Sequence, residues 1–242
     1  MGVWAVDHGL IGVTINYRLA PEFAWPSGVE DLTLVVAWLK THIAEYGGDP
    51  DKIFLWGHSA GAAHVADYVA QGPMLPHEAV ADPAPTPASA HRKSAAAQKN
   101  AAPVPVAAGT GVGAATPSLA GAAGTGIAGA ILTSGFYDLG DKVSIWKDYY
   151  GEDVTQYAAR SSLPGLLKTA TPLLVTYAEL DPENFQPDSV RLIEGRAAEG
   201  KPVRHLRLAG HSHLSELYAV GSGDESLSGP VLDFIRSVGG GR

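Results

Sequence analysis

No cysteine occurs among the 242 residues, so the chain has no disulfide to form and no thiolate to act as nucleophile or metal ligand. That leaves the compartment open, with the cytoplasm favoured. Positive charge is scarce as well. Lys and Arg total 17 against 25 Asp and Glu, a formal net charge of −8, which argues against nucleic acid as a partner. No stretch reads as a transmembrane span or as a charged-then-apolar signal segment, although a segment upstream of Met1 would hide the latter. Residues 81–125 lack aromatic side chains entirely, and their larger aliphatics are Leu119 and three valines; Ala, Pro and Gly make up 27 of these 45 residues. Such a stretch buries too little apolar surface to offset its ordering entropy, which predicts a flexible insertion. A lid over a site is the less favoured reading, since lids carry bulky apolar residues.

The remainder is 45% hydrophobic over the whole chain, enough for one sizeable core, and a single domain over residues 1–242 is expected. Strand-like and helix-like stretches alternate, which argues for an α/β sheet. Apolar runs predict strands at residues 53–56, 127–132 and 172–177, and residues 203–208 read as the next strand. Ser27 followed by Glu30 has the spacing of a capping box, and Leu32, Val35, Val36, Leu39 and Ile43 then recur at helical spacing until Gly47 ends the helix. Further helices are expected over residues 188–198 and 230–238, the latter with proline in its first turn.

The pentapeptide Gly57-His58-Ser59-Ala60-Gly61 lies between the apolar run at 53–56 and the small-residue run Ala62-Ala63-His64-Val65-Ala66. In that context it reads as a nucleophile elbow, a strained turn between strand and helix that lifts a serine hydroxyl above the sheet. Glycines on both sides are expected because the turn brings backbone segments too close for a Cβ. Ser59 is the candidate nucleophile, and the backbone N–H of Ala60 the candidate oxyanion donor. A serine nucleophile needs a base and a carboxylate that orients it. Asp181 follows the strand at 172–177, with Glu179 as its rival, and His211 and His213 follow the strand at 203–208. Either histidine has the position of the base.

Together with this elbow, Ile15-Asn16-Tyr17-Arg18-Leu19-Ala20-Pro21-Glu22, Tyr46-Gly47-Gly48-Asp49-Pro50 and Gly210-His211-Ser212-His213-Leu214-Ser215 resemble the α/β-hydrolase carboxylesterases, the hormone-sensitive-lipase-like and arylformamidase-like esterases among them. The resemblance covers about residues 5–75 and 126–238. It implies an α/β-hydrolase fold, a mostly parallel sheet flanked by helices. It implies Ser59, Asp181 and His213 as a catalytic triad, because the family's base is usually followed by a bulky apolar residue, as His213 is by Leu214. Residues 11–17 would be the family's fourth strand. The His-Gly-Gly loop that supplies oxyanion donors after the third strand has no counterpart, and His8-Gly9 is no substitute. The fold is therefore expected to be N-terminally shortened, with a central gap or a new pairing where the third strand belongs, either as part of a longer gene or as a naturally short member.

Acyl transfer to water, with no cofactor and no metal, is the expected chemistry, on a small-molecule ester of a small or aromatic acid. An amide hydrolase of the arylformamidase or peptidase type, and a catalytically weak hydrolase-fold ligand-binding protein, are the alternatives. Arg18 and Asp31 are expected to form a structural ion pair, and Asp49 to be a turn residue. His58 is expected to pack, and His42, His64 and His77 to be ordinary helix or loop residues. Trp25, Trp146, Tyr149 and Tyr150 are expected either to line an acyl or alcohol pocket or to belong to the core. No oligomeric state follows from the sequence.

Overall fold

The computed structural model describes residues 1–76, 125–140 and 143–240. The predicted insertion over 81–125, apart from Thr125, and His77 lie outside the described residues. In chain order the elements are α1 (Gly2–Asp7), α2 (Ser27–His42), β1 (Phe54–His58), α3 (Ala60–Gln71), β2 (Gly129–Thr133), α4 (Val143–Tyr150), α5 (Tyr157–Arg160), α6 (Leu163–Lys168), β3 (Leu173–Leu180), α7 (Gln186–Ala198), β4 (Arg204–Ser212), α8 (Ser215–Ala219) and α9 (Ser228–Val238). The strands form one parallel sheet in the order β1-β2-β3-β4. The inner strands β2 and β3 are covered on both faces, which is why they read as continuous apolar runs, while edge strand β4 is largely exposed. On one face Leu55, Leu132, Val175 and Val203 pack with Val29, Val36, Val65 and Tyr68 of α2 and α3 and with Leu192 of α7. On the other face, Ile131, Leu174 and Leu208 pack with Trp4 of α1 and with Val231 and Phe234 of α9. Among the described residues no helix is long and apolar enough to cross a membrane.

Residues 10–19 correct one expectation, because they form no strand. A strand needs a neighbour for its N–H and C=O groups, and the element that would lie between this segment and β1 is missing from the described sheet. Of the two outcomes expected, the gap is the one found. β1 is an edge strand, and beside it lies a cavity of about 810 Å³ lined by residues 10–15, by Leu32, Val35 and Leu39 of α2, and by residues 53–58. The segment is held to α2 through Arg18, whose Nε donates to Asp31 Oδ1 at 2.7 Å and whose backbone N–H donates to Oδ2 at 2.8 Å.

The same guanidinium explains why the capping box does not form. Arg18 Nη2 donates to Glu30 Oε2 at 2.7 Å, so the Glu30 carboxylate is engaged by a charged donor and not by the backbone. Ser27 lies inside the helix, after Pro26, and its hydroxyl donates to the Phe23 carbonyl. A charge-assisted tertiary contact outweighs the local cap. Gly47 ends the α2 region as expected, in a left-handed conformation at φ 81°. α7 and α9 each begin two residues before the expected starts, so Pro230 sits at the third position of its helix.

Candidate active site

Each strand is followed directly by a residue that contributes to one cluster at the carboxyl edge of the sheet. Ser59 follows β1, Ser134 follows β2, Asp181 follows β3 and His213 follows β4. That edge is where open parallel sheets place their sites, because loops there diverge while the strands hold their roots fixed.

Ser59 occupies φ 56° and ψ −122°, a region costly for a residue with a Cβ, and α3 starts at the next residue. This is elbow geometry. A Cβ added at Gly57 would lie 2.2 Å from the Gly61 carbonyl oxygen, so that position needs glycine. Gly61 itself does not, contrary to the sequence expectation. A Cβ there meets nothing within 4 Å, because Gly61 borders the cavity beside β1. Ala60 is the first residue of α3, where backbone N–H groups have no intrahelical acceptor.

Ser59 Oγ lies 2.8 Å from His213 Nε2, and His213 Nδ1 lies 2.7 Å from Asp181 Oδ1. A carboxylate beside Nδ1 fixes the hydrogen on that nitrogen and leaves Nε2 as acceptor for the serine hydroxyl in the neutral ring. Asp181 is buried, and its second oxygen accepts from Ser134 O–H at 2.6 Å and from Ala178 N–H at 2.9 Å. Three donors on one buried carboxylate satisfy it fully and hold it still.

The other sequence candidates stand apart from this chain of contacts. The His211 ring lies 3.0 Å from Ser226 Oγ, 3.3 Å from Ser215 Oγ and 3.3 Å from Asp224. Glu179 is half-buried and accepts from Gly210 N–H at 2.7 Å and from Arg207 at 3.0 Å, and these contacts hold its carboxyl below the usual range. Asp49 accepts from Asp51 N–H in a turn, as expected. His42 stacks on Trp38. His64 is buried between Tyr17 and Tyr149, and burial depresses its pKa to about 4. His58 does more than pack, since its Nε2 contacts the His213 carbonyl oxygen at 2.7 Å.

The aromatic residues divide. Tyr150 is core, with Trp25, Trp146 and Tyr149 half-buried against the same cluster. That cluster reaches the site through Phe185, whose ring lies 4.5 Å from His213 and 6.3 Å from Trp146. Sequence reasoning missed Phe185, Ser134 and Glu216, which lies against His58. The signal for Ser134 was its position, one residue beyond a buried strand on the edge where Ser59 and Asp181 also emerge.

Comparison with known proteins gives a consistent picture. The family described as alpha/beta hydrolase fold matches residues 2–216. The chain is 47% identical over 68 residues to the probable carboxylic ester hydrolase LipM of Mycobacterium tuberculosis, a match covering 28% of this chain and 16% of that protein. It is 44% identical over 72 residues to the esterase LipQ of the same organism, covering 29% of this chain and 17% of that one. These matches thus span under a fifth of the length of either relative. Among solved structures, an acetyl ester-xyloside bifunctional hydrolase from Caldicellulosiruptor lactoaceticus aligns with a TM-score of 0.68 at 14% identity, over 100% of this chain and 76% of that one.

Proposed function

This chain belongs to the α/β-hydrolase family, and from that premise we propose that it is a serine carboxylesterase, with Ser59 as nucleophile, His213 as base and Asp181 as the carboxylate that orients it. One observation carries the reading: the unbroken contact from the Ser59 hydroxyl through the His213 ring to buried Asp181, at 2.8 and 2.7 Å. Its Mycobacterium tuberculosis relatives are described as ester hydrolases, which supports a carboxylic ester as the bond cleaved.

In the proposed reaction Ser59 Oγ attacks the ester carbonyl carbon while its proton passes to His213 Nε2. The imidazolium is stabilised by Asp181, whose charge is fixed by Ser134 and Ala178 on its far oxygen. The tetrahedral oxyanion accepts a hydrogen bond from Ala60 N–H, a donor held in place by the strained turn before it. Collapse expels the alcohol, which takes the proton from His213. Water then attacks the acyl-enzyme with His213 again as base, releasing the acid and restoring Ser59. Phe185, backed by Trp146 and Phe136, provides an apolar wall beside His213, and this favours esters of small or aromatic acids.

The test is labelling with an organophosphonate probe alongside hydrolysis of p-nitrophenyl acetate. Stoichiometric labelling at Ser59 is expected, with both labelling and turnover lost in Ser59→Ala. A folded protein that neither labels nor turns over ester is a ligand-binding member of the fold, and that result ends the esterase reading.

A further inference from the structure

Around His213 of the proposed triad, three potential ligand groups converge without a structural duty that accounts for all of them. Glu216 of α8 has a fully buried side chain, and neither of its carboxylate oxygens has a hydrogen-bond partner among the described residues. His58 Nε2 lies 3.2 Å from Glu216 Oε1, close enough for charge attraction but outside hydrogen-bond geometry, because that nitrogen is aimed at the His213 carbonyl oxygen. The His58 and His213 rings are 4.7 Å apart, and the ligand atoms of His58, His213 and Glu216 all lie within 4.8 Å of one another. A buried carboxylate with no donor is costly to maintain, and a cation is what would relieve it.

We infer that His58, His213 and Glu216 form a site for a divalent transition cation such as Zn²⁺, and that the bound ion takes the His213 imidazole away from its partners and holds the hydrolase inactive. Two imidazoles and one carboxylate suit zinc and not the oxygen-seeking Mg²⁺ or Ca²⁺. Zinc bonds to nitrogen of about 2.0–2.1 Å place tetrahedral ligand atoms about 3.3 Å apart. His58 Nε2 and Glu216 Oε1 already stand at 3.2 Å, and binding the ion through Nε2 requires His58 to carry its hydrogen on Nδ1 and to give up the His213 carbonyl. His213 needs to close by at most about 1.5 Å from the 4.8 Å limit, a shift within the reach of a ring rotation. Both of its nitrogens are engaged, Nδ1 by Asp181 and Nε2 by Ser59. Whichever one binds the ion leaves its partner, so either mode disables the base. The inhibition half of this inference rests on the esterase reading; the binding half does not.

The experiment runs Zn²⁺ titrations of the EDTA-stripped full chain by calorimetry, in parallel with p-nitrophenyl acetate hydrolysis. One ion per chain is expected, with inhibition tracking occupancy and reversed by EDTA. Ser59→Ala, which has no nucleophile, should still bind one ion. His58→Gln keeps an amide N–H for the His213 carbonyl but loses the imidazole ligand. It should weaken both binding and inhibition by about tenfold or more. Should that variant fail to fold, Glu216→Gln carries the same expectation. His211→Gln, which alters the neighbouring histidine beside Asp224, should change neither. Absence of stoichiometric binding to the wild type, or binding that survives loss of His58 or Glu216, overturns the inference. Stoichiometric binding that depends on His58, in a protein with no ester turnover, supports the metal site and sinks the esterase reading instead.

Discussion

Two histidines separated by one residue face different neighbours, and the difference is a matter of hydrogen-bond acceptors. His213 meets a buried carboxylate and the Ser59 hydroxyl, whereas His211 meets serines and exposed Asp224. In ester assays His213→Asn should lose about 10³-fold or more in kcat. His211→Asn should stay within a few-fold of wild type, and a comparable loss in both would mean the proton path is wrongly drawn. Ser134→Ala removes one of three donors to Asp181 while leaving Ala178 N–H and His213 in place. A hydrogen bond to a charged group is worth about 1.5–3 kcal/mol, so kcat should fall by about tenfold or more, with KM little changed. The places of Ser59 and Asp181 were legible from chain order, because each follows a strand-like run, whereas order left His211 and His213 equal and only the family resemblance preferred His213. Ser134 offered only its place after a strand, and Glu216, a glutamate in a short helix, offered no local pattern; both gain their contacts through folding.

Elements show where local rules hold and where tertiary contacts override them. β2 and β3 were readable because burial on both faces demands uninterrupted apolar sequence, whereas edge strand β4 is largely exposed and showed only spaced leucines, Leu206 and Leu208. The cap of α2 was misread because Arg18, distant in sequence, claims Glu30. In α3, Gly57→Ala just upstream should abolish folding or activity, since its Cβ has no room beside the Gly61 backbone. Gly61→Ala should be tolerated and should stabilise the helix by up to about 1 kcal/mol, read as a raised melting temperature. The same helix carries Asp67, fully buried and hydrogen-bonded to Tyr150, with a pKa pushed by burial from 3.8 to about 8. The folded state therefore keeps the proton that the unfolded chain releases above its ordinary pKa. The stability this lends is complete below about pH 4 and is lost as pH rises towards about 8. Asp67→Asn, neutral throughout, should flatten that decline in denaturant titrations between pH 5 and 8. An unchanged slope would show that Asp67 is ionised in the fold.

At the scale of the molecule, the sheet is complete on one side of β1 and open on the other. Ser59 N–H donates towards β2, so by the alternation of a strand Leu55 and Gly57 also face β2, while Phe54, Trp56 and His58 turn their backbone groups to the cavity. Hydrogen exchange should then alternate along this strand, with the amides of Phe54, Trp56 and His58 exchanging faster than those of Leu55 and Gly57. Uniform protection would mean that the outer edge is covered. The fold, and not the sequence, shows that the cavity beside β1 leaves Gly61 free of contact.

The torsion angles of Ser59 link chemistry to thermal endurance. At φ 56° the residue pays a conformational penalty that glycine would escape. Ser59→Gly should therefore melt above Ser59→Ala, by up to about 1 kcal/mol once the looser unfolded chain is counted. Both are inert if this serine is the nucleophile, so evolution for heat resistance alone would discard the hydroxyl that selection for turnover retains.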